Sequence, residues 1–345
     1  MYKVKEILTI VITTYNREKQ LVSQIRSIVS QRLFSDIDLI ISDNCSAFDI
    51  KSVLAKNFSP CVFERFKIFI NPFNIGALGN VARSFLLPST KWMWLLSDDD
   101  ETTPKSLNQI FEDIKSYPNV ACIKYTDIGV PSSIQHRFHK IDCLGSLVKT
   151  CSAFNIDIGN LIFMSNNVFN RHVLNQYIAG VFNYSYTYFP HMVPTLMALS
   201  DGKSIVIKPE SIVNYKIPEI PVSNNYLVSI YLGAMSVSDI FFHGQSVDYA
   251  ELRALFKMNR FWDLSKNFYY CSHPDKLYLY KKIYRSVYKD KVNLLEMIIF
   301  VLFCIQIKSQ CDYGSKLIDF LGGELRQRKR QFLKCLRSSK VAVAD

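Results

Sequence analysis

The stretch that decides the fold is Lys91-Trp-Met-Trp-Leu-Leu96, which runs into Ser97-Asp-Asp-Asp100 and is followed by Pro104. Bulky apolar residues without polar alternation read as a strand buried on both faces. Pro104 then opens a helix over Lys105–Ser116, as proline in a first helical turn does. Three adjacent carboxylates at the end of a buried strand repel one another and resist desolvation. Either they form an acidic helix N-terminus, where the helix dipole favours them, or a cation compensates them. Mg²⁺ would suit, because it binds through one or two carboxylates plus the phosphates of a ligand.

The same pattern extends towards the N-terminus. Ile7–Ile12 reads as a strand, Thr13-Thr-Tyr-Asn16 as a polar turn, and Arg17–Gln31 as a helix with apolar residues at Leu21, Val22, Ile25, Ile28 and Val29. Asp38–Ser42 is a second strand, ending in Asp43-Asn-Cys-Ser46. Phe66–Ile70 is a third, closed by Asn71-Pro72, and Asn80–Leu87 reads as a helix stopped by Pro88. Strands alternating with helices predict an α/β fold built on a mostly parallel sheet with right-handed crossovers. Ligands of such sheets bind beyond the carboxyl ends of the strands. Four polar clusters fall at those ends: Thr13–Arg17, Asp43–Ser46, Asn74–Asn80 and Asp98–Asp100.

Composition narrows the classes. With 345 residues, 49% hydrophobic and 13% aromatic, the chain is neither disordered nor of low complexity. Its nine cysteines are scattered without a CxxC pair, which predicts reduced thiols and no zinc finger. Met1–Glu6 is charged and Ile7–Ile12 is too short for the apolar core of a signal peptide. Between Asp275 and Lys340, 15 Lys and Arg face 6 Asp and Glu, so most of the net charge of +11 sits near the C-terminus. That points to a local anionic partner, and without a nucleic-acid motif it does not predict a nucleic-acid-binding protein.

Beyond Asn119 the pattern loosens. Val120–Tyr125 reads as a strand, Gly129–Lys140 as a basic loop suited to a lid, and Phe154–Met164 and Val168–Tyr177 as a strand followed by a helix. Tyr184–His191 is an aromatic turn before a helix at Met192–Leu199, and Lys203–Ile207 is a strand. From Asn225 onward helices are expected. Leu294–Ile307 is apolar over 14 residues with Glu296 inside, short of the roughly 20 that span a bilayer. Beside the basic Arg326–Arg330 it suits either attachment to an anionic membrane surface or a core helix with a solvated tail. The expected organisation is residues 1–222, in halves 1–118 and 119–222, followed by a helical basic region 223–345.

Ile10-Val-Ile-Thr-Thr-Tyr-Asn-Arg17, Ile40-Ile-Ser-Asp-Asn-Cys-Ser46, Asn74-Ile-Gly-Ala-Leu-Gly-Asn80 and Trp94-Leu-Leu-Ser-Asp-Asp-Asp100 occur in order over about 100 residues. Together they resemble the nucleotide-sugar-binding half of the family 2, GT-A-fold glycosyltransferases. The Asn-Ile-Gly form is similar to bacterial O-antigen and capsule enzymes of the abequosyltransferase type. The resemblance implies a Rossmann-like sheet flanked by helices and a nucleotide diphosphate sugar donor. It also implies Mn²⁺ or Mg²⁺, and a glycan or lipid-linked oligosaccharide acceptor at the cytoplasmic face of a bacterial membrane. It places Tyr15 and Asp43 on the base, and Thr13 and Arg17 beside the base or diphosphate. Asn74, Gly76 and Asn80 would form the floor near the ribose, and Asp98 would reach the ribose or sugar. Asp99 would hold the metal, with Asp100 as a further ligand. The family's pattern has Asp where this chain has Ser97. Where an inverting member offers a carboxylate base, eleven residues before a Gly, this chain has His191, with Asp157 in reserve. A domain that binds nucleotide or glycan without turnover is the alternative.

Overall fold

The computed structural model describes residues 7–126, 139–154, 156 and 158–214, with short pieces at 232–233, 268, 270–272, 274–283 and 300–304. The first half alternates β1 (Leu8–Thr14), α1 (Glu18–Val29), β2 (Asp38–Asp43), α2 (Ile50–Asn57), α3 (Pro60–Phe63), β3 (Phe66–Ile70), α4 (Ala77–Ser84) and β4 (Trp92–Ser97). A two-residue β5 (Glu101–Thr102) and α5 (Ser106–Ser116) follow. The second half holds β6 (Cys122–Tyr125), β7 (His139–Ile141), α6 (Leu144–Ala153), α7 (Ile158–Ile162), β8 (Asn167–Asn170), α8 (Arg171–Leu174), α9 (Ile178–Asn183), α10 (Val193–Ser200), β9 (Ile205–Lys208) and β10 (Val213–Asn214).

Eight strands make one sheet in the order β3-β2-β1-β4-β8-β6-β9-β7. The first four are parallel, as the alternation predicts. β8 runs antiparallel to both β4 and β6, and β7 antiparallel to β9. β1 and β4 are buried almost throughout, and Trp92, Trp94, Ile10 and Ile12 join Leu21, Ile25 and Ile110 from the flanking helices in one core. Each such side chain contributes about 1.5–3 kcal/mol of apolar burial. In strand order the chain goes from β1 outward to β2 and β3, then returns to β1's other side as β4. The carboxyl ends of β1 and β4 therefore flank the switch point, where α/β sheets open a crevice.

Two predicted elements are corrected. Phe154–Met164 is not a strand: helices end and begin there, with α7 at Ile158–Ile162 and a 3₁₀ turn at Met164–Asn166. The first part of Val168–Tyr177 is not helical but strand, because Asn167–Asn170 is buried at every position between β4 and β6. Its asparagines hid this, since their amides bond locally: Asn167 Nδ2 donates to Phe163 O, and Asn170 Oδ1 accepts from Val173 N. The helix expected at Asn80 starts earlier, at Ala77, behind Gly76 with φ 79°. That left-handed backbone is where glycine has no steric cost. Of the Gly129–Lys140 loop, residues 129–138 lie outside the described residues, and His139 and Lys140 belong to β7.

The chain divides into two compact units, Met1–Pro221 with Ile230–Lys257, and Val222–Ser229 with Met258–Asp345. In the second, the helix Lys276–Ile283 buries Tyr280 against Phe268 and Phe303. Most of the apolar Leu294–Ile307 stretch and all of Arg326–Arg330 lie outside the described residues. Among the described residues no helix is long and apolar enough to cross a membrane.

One buried ion pair ties α5 to the far strands. Lys208 Nζ on β9 lies 2.8 Å from Asp113 Oδ1 on α5, and the Tyr125 hydroxyl on β6 donates to Asp113 Oδ2 at 2.8 Å. Removing one member of a buried pair costs roughly 3–5 kcal/mol, because the other charge keeps its desolvation penalty. Asp113→Ala is therefore expected to lower unfolding free energy by about that amount, measured as a shifted urea midpoint with an unchanged slope.

Candidate active site at the β1–β4 switch point

The three carboxylates after β4 have three different environments. Asp98 is buried: Thr14 Oγ1 donates to its Oδ2 at 2.7 Å and Arg17 Nη1 to its Oδ1 at 3.0 Å. Asp100 is buried on the other side, where Ser165 Oγ donates to its Oδ2 at 2.6 Å. Asp99, between them, is 45% exposed; Arg17 Nη1 reaches its Oδ2 at 2.5 Å, and the Ser97 hydroxyl donates to its Oδ1. Burial pushes Asp98 up to about 6, against the lowering effect of the Thr14 and Arg17 bonds. Burial likewise pushes Asp100 up to about 6, against its bond from Ser165. Asp99 is thus the triplet's one carboxylate open to a ligand.

The triplet does not cap α5. That helix is started by Gln31 at the end of α1, whose Oε1 accepts from Leu107 N at 3.0 Å and whose Nε2 donates to Thr102 and Ser106. The acidic helix N-terminus is therefore set aside as the explanation of Asp98–Asp100.

On the β1–β2 side, Tyr15 presents an exposed ring. Asn16 and Cys45, at φ 54° and 67°, turn the two loops towards each other. Asn16 N donates to Ser46 Oγ at 2.9 Å, and Asn16 Oδ1 accepts from Ala47 N at 2.7 Å. Buried Asp43 accepts from Ser46 N and from Ser46 Oγ, at 3.1 Å and 2.5 Å. Beyond it lies a chain of amides. Asn44 Nδ2 donates to Asn74 Oδ1 at 2.7 Å, and Asn71 Nδ2 bonds Asn44 Oδ1 and Asn80 Oδ1 at 2.9 and 3.1 Å. Asn80 Nδ2 donates to Ser42 O at 2.9 Å, and Gly76 N donates to Asn74 Oδ1 at 2.8 Å. Asn74, Gly76 and Asn80 are brought together as expected in sequence, but the bonds they make are to the loops themselves. Thr13 Oγ1 is tied to Leu96 O at 3.3 Å.

On the other side, His191 is buried and its Nε2 lies 2.8 Å from Ile162 O. The carbonyl partner places the proton on Nε2. Burial pushes the ring down to about 4, with the Lys124 charge lowering it further against the Ile162 bond. Lys124 is itself 1% exposed, with Nζ 2.8 Å from Phe163 O, and burial pushes it down to about 7. Among the described residues no carboxylate pairs with it. Asp157 lies outside the described residues.

Residues 9–177 match the model described as Glycosyl transferase family 2. Residues 9–177 belong to that family. A relative in Campylobacter jejuni, GalNAc(5)-diNAcBac-PP-undecaprenol beta-1,3-glucosyltransferase, is 32% identical over 106 residues. The match spans 30% of this chain and only 33% of that protein. Among solved structures, a mannosyltransferase from Pyrobaculum calidifontis (PcManGT) has a TM-score of 0.52 at 10% identity, covering 90% of this chain and 88% of its own. TarS of S. aureus has a TM-score of 0.53 at 12% identity, covering 82% of this chain and 50% of its own. These likenesses are of fold, and with the mostly parallel sheet they make it GT-A.

For a family 2 domain the described geometry separates two kinds of residue. Tyr15, Arg17 and Asp99 face outward at the switch point, whereas Asp43, Asn80, Asp98 and Asp100 hold the surrounding loops. Thr14 and Asn44 fell inside the polar clusters without a role of their own, and Asn71 and Ser165 fell outside them. Asn71-Pro72 at a strand end was the available signal for one of them, and Ser165 had none. Among the described residues no group of three or more His, Cys, Asp or Glu would hold a metal unaided. One exposed carboxylate fits a metal that takes its other ligands from a diphosphate and water, with Arg17, which now pairs with it, turning to the phosphates.

His191 carries a pH signature. Its folded value of about 4 lies below its ordinary 6.5, so the unfolded chain takes up the proton first. Its stabilising contribution is full above about pH 6.5 and is lost as pH falls towards 4. Replacing it by Gln is expected to flatten the fall in melting temperature over that window relative to wild type, read by thermal unfolding at stepped pH.

Proposed function

We propose that this chain is a glycosyltransferase that moves a sugar from a nucleotide diphosphate sugar to a glycan acceptor. The observation that supports this most is the exposed Asp99 carboxylate, set at the β1–β4 switch point between two buried neighbours that are hydrogen-bonded within the protein, with Arg17 across it and Tyr15 beside it. The donor's base would stack on Tyr15, at the cleft edge formed by the Asp43–Ser46 turn. The diphosphate would lie against Asp99 and Arg17. Mn²⁺ or Mg²⁺ between Asp99 and the diphosphate would neutralise charge on the departing phosphate. Arg17 would then shift part of its charge from Asp99 to a phosphate oxygen, which keeps the guanidinium paired throughout.

In the transfer the acceptor hydroxyl oxygen bonds the anomeric carbon and loses its proton, while the bond to the diphosphate breaks and the nucleoside diphosphate leaves. A single such displacement inverts the anomeric centre. Of the two residues the sequence offers as proton acceptor, His191 and Asp157, we propose Asp157, because the buried His191 ring commits its Nε2 to Ile162 O. A base works best with a pKa near the working pH, which His191 at about 4 does not have. That observation favours a second reading, a domain that binds donor without turnover. The Campylobacter relative, named for an undecaprenol-linked substrate, supports a lipid-linked acceptor, and bacterial surface-polysaccharide synthesis is the setting we propose for it. The basic C-terminal segment supports peripheral contact with the anionic inner membrane face.

A panel of nucleoside diphosphates with and without Mn²⁺ or Mg²⁺, read by thermal shift, tests the donor site. Ligand at 100 times its Kd stabilises the folded chain by about 2.7 kcal/mol. A metal-dependent shift for one nucleotide, lost in Asp99→Ala, is expected, and no shift for any nucleotide would overturn the reading. Hydrolysis of the matching sugar donor separates a transferase from a domain that only binds.

Metal-dependent nucleotide binding should also weaken as pH falls below about 6. Asp98 and Asp100, held near that value, then become neutral beside Asp99. Titration calorimetry at stepped pH checks it, and affinity rising on acidification would contradict the assignment of the triplet.

A further inference from the structure

Four consecutive carbonyls lie along the segment that carries Ser165 to the acidic triplet, and each accepts from a buried side chain. Ile162 O is met by His191 Nε2 at 2.8 Å. Phe163 O is met by Lys124 Nζ at 2.8 Å and by Asn167 Nδ2 at 2.7 Å. Met164 O accepts from Asn167 Nδ2 at 3.2 Å, and Ser165 O from Trp94 Nε1 at 2.8 Å. The donors come from four places in the fold: β6, β8, β4 and the turn two residues before α10. Ile162 ends α7, so its carbonyl has no partner further along that helix. The Ser165 hydroxyl then donates to Asp100 Oδ2 at 2.6 Å and accepts from Ser97 N at 3.0 Å.

We infer that His191 and Lys124 are positioning residues: they clamp the Ile162–Ser165 backbone and thereby hold Ser165 against Asp100 and the end of β4. His191 then acts as a donor through Nε2, a role distinct from accepting the acceptor's proton. Burying an ammonium to bond one carbonyl is a poor way to gain stability, but it fixes that carbonyl with a strong, short-range donor. Ser165 reaches the open carboxylate through Ser97, whose N donates to Ser165 Oγ and whose hydroxyl donates to Asp99 Oδ1; groups behind a ligand-bearing carboxylate set its orientation, and losing one typically weakens metal binding by about 10- to 100-fold. The inference rests on reading Asp98–Asp100 as the edge of a metal–diphosphate site.

Three variants separate the roles. Gln at 191 offers an amide nitrogen at the place of Nε2 and cannot serve as a base. His191→Leu removes the donor, and Lys124→Met removes the charge while keeping the stem. The probes are Mn²⁺ with UDP and Mn²⁺ with GDP, read by calorimetry, together with KM and kcat for the corresponding sugar donors. His191→Leu and Lys124→Met are expected to weaken Mn²⁺-dependent nucleoside diphosphate binding by about 10- to 100-fold and to raise donor KM. His191→Gln is expected to stay close to wild type in both binding and turnover.

If His191→Gln binds normally but loses turnover as fully as His191→Leu, His191 is the base and the inference fails. It also fails if the Leu and Met variants bind as wild type does. Wild-type protein that binds neither probe, nor any other nucleoside diphosphate with Mn²⁺, overturns the transferase reading and the clamp's role together, so the two failures are told apart by the wild-type control. Should the Leu or Met variant not fold, Ser165→Ala carries the test, because it deletes only the hydroxyl between clamp and carboxylate. The same loss is expected there, with recovery in Ser165→Thr, and unchanged binding in Ser165→Ala would overturn the inference.

Discussion

The rest of the site is arranged around the desolvation of three adjacent carboxylates at the end of a buried strand. Like charges this close cannot all ionise cheaply away from water. Neighbouring elements answer this one residue at a time. β1 contributes Thr14, the loop after it Arg17, β4 its own Ser97, and the turn before β8 contributes Ser165. The outer pair is neutralised or solvated by protein, and Asp99 alone is left facing outward with a cation against it. One carboxylate is thereby presented in a fixed direction while two others set the field around it.

The same constraint explains why the far half of the sheet is built as it is. Ser165 can reach Asp100 only because β8 wedges antiparallel between β4 and β6, which brings the turn before it under the end of β4. The backbone of that turn is buried, and buried carbonyls need donors. Lys124, Asn167, His191 and Trp94 supply them. Residues that looked like acceptor-side chemistry in the chain thus also form the back wall of the donor side. The Asp113–Lys208–Tyr125 cluster ties α5 to the same strands from the opposite face.

Much of the near half was legible in the chain. β1, β2, β3 and β4 were read from apolar runs closed by turn residues, and the four polar clusters fell at their carboxyl ends. Periodicity was less able to place β8, because a four-residue strand carrying two asparagines gives no period and its amides look like loop chemistry. The split among Asp98, Asp99 and Asp100 was equally hidden. Three identical residues in a row differ only in which neighbours their side chains meet, and those neighbours, Ser97 apart, lie 65 to 84 positions away.

By itself, then, the sequence determined the parallel α/β half, the edge of the sheet at which the polar clusters gather, and the residue types found there. It could do so because strand and helix periods, turn residues and strand-end polarity are local properties. Tertiary structure decided which carboxylate is open, which asparagines hold loops, and that His191 and Lys124 meet neighbouring carbonyls. Those outcomes depend on burial and on contacts between distant segments, and neither exists until the sheet has closed around them.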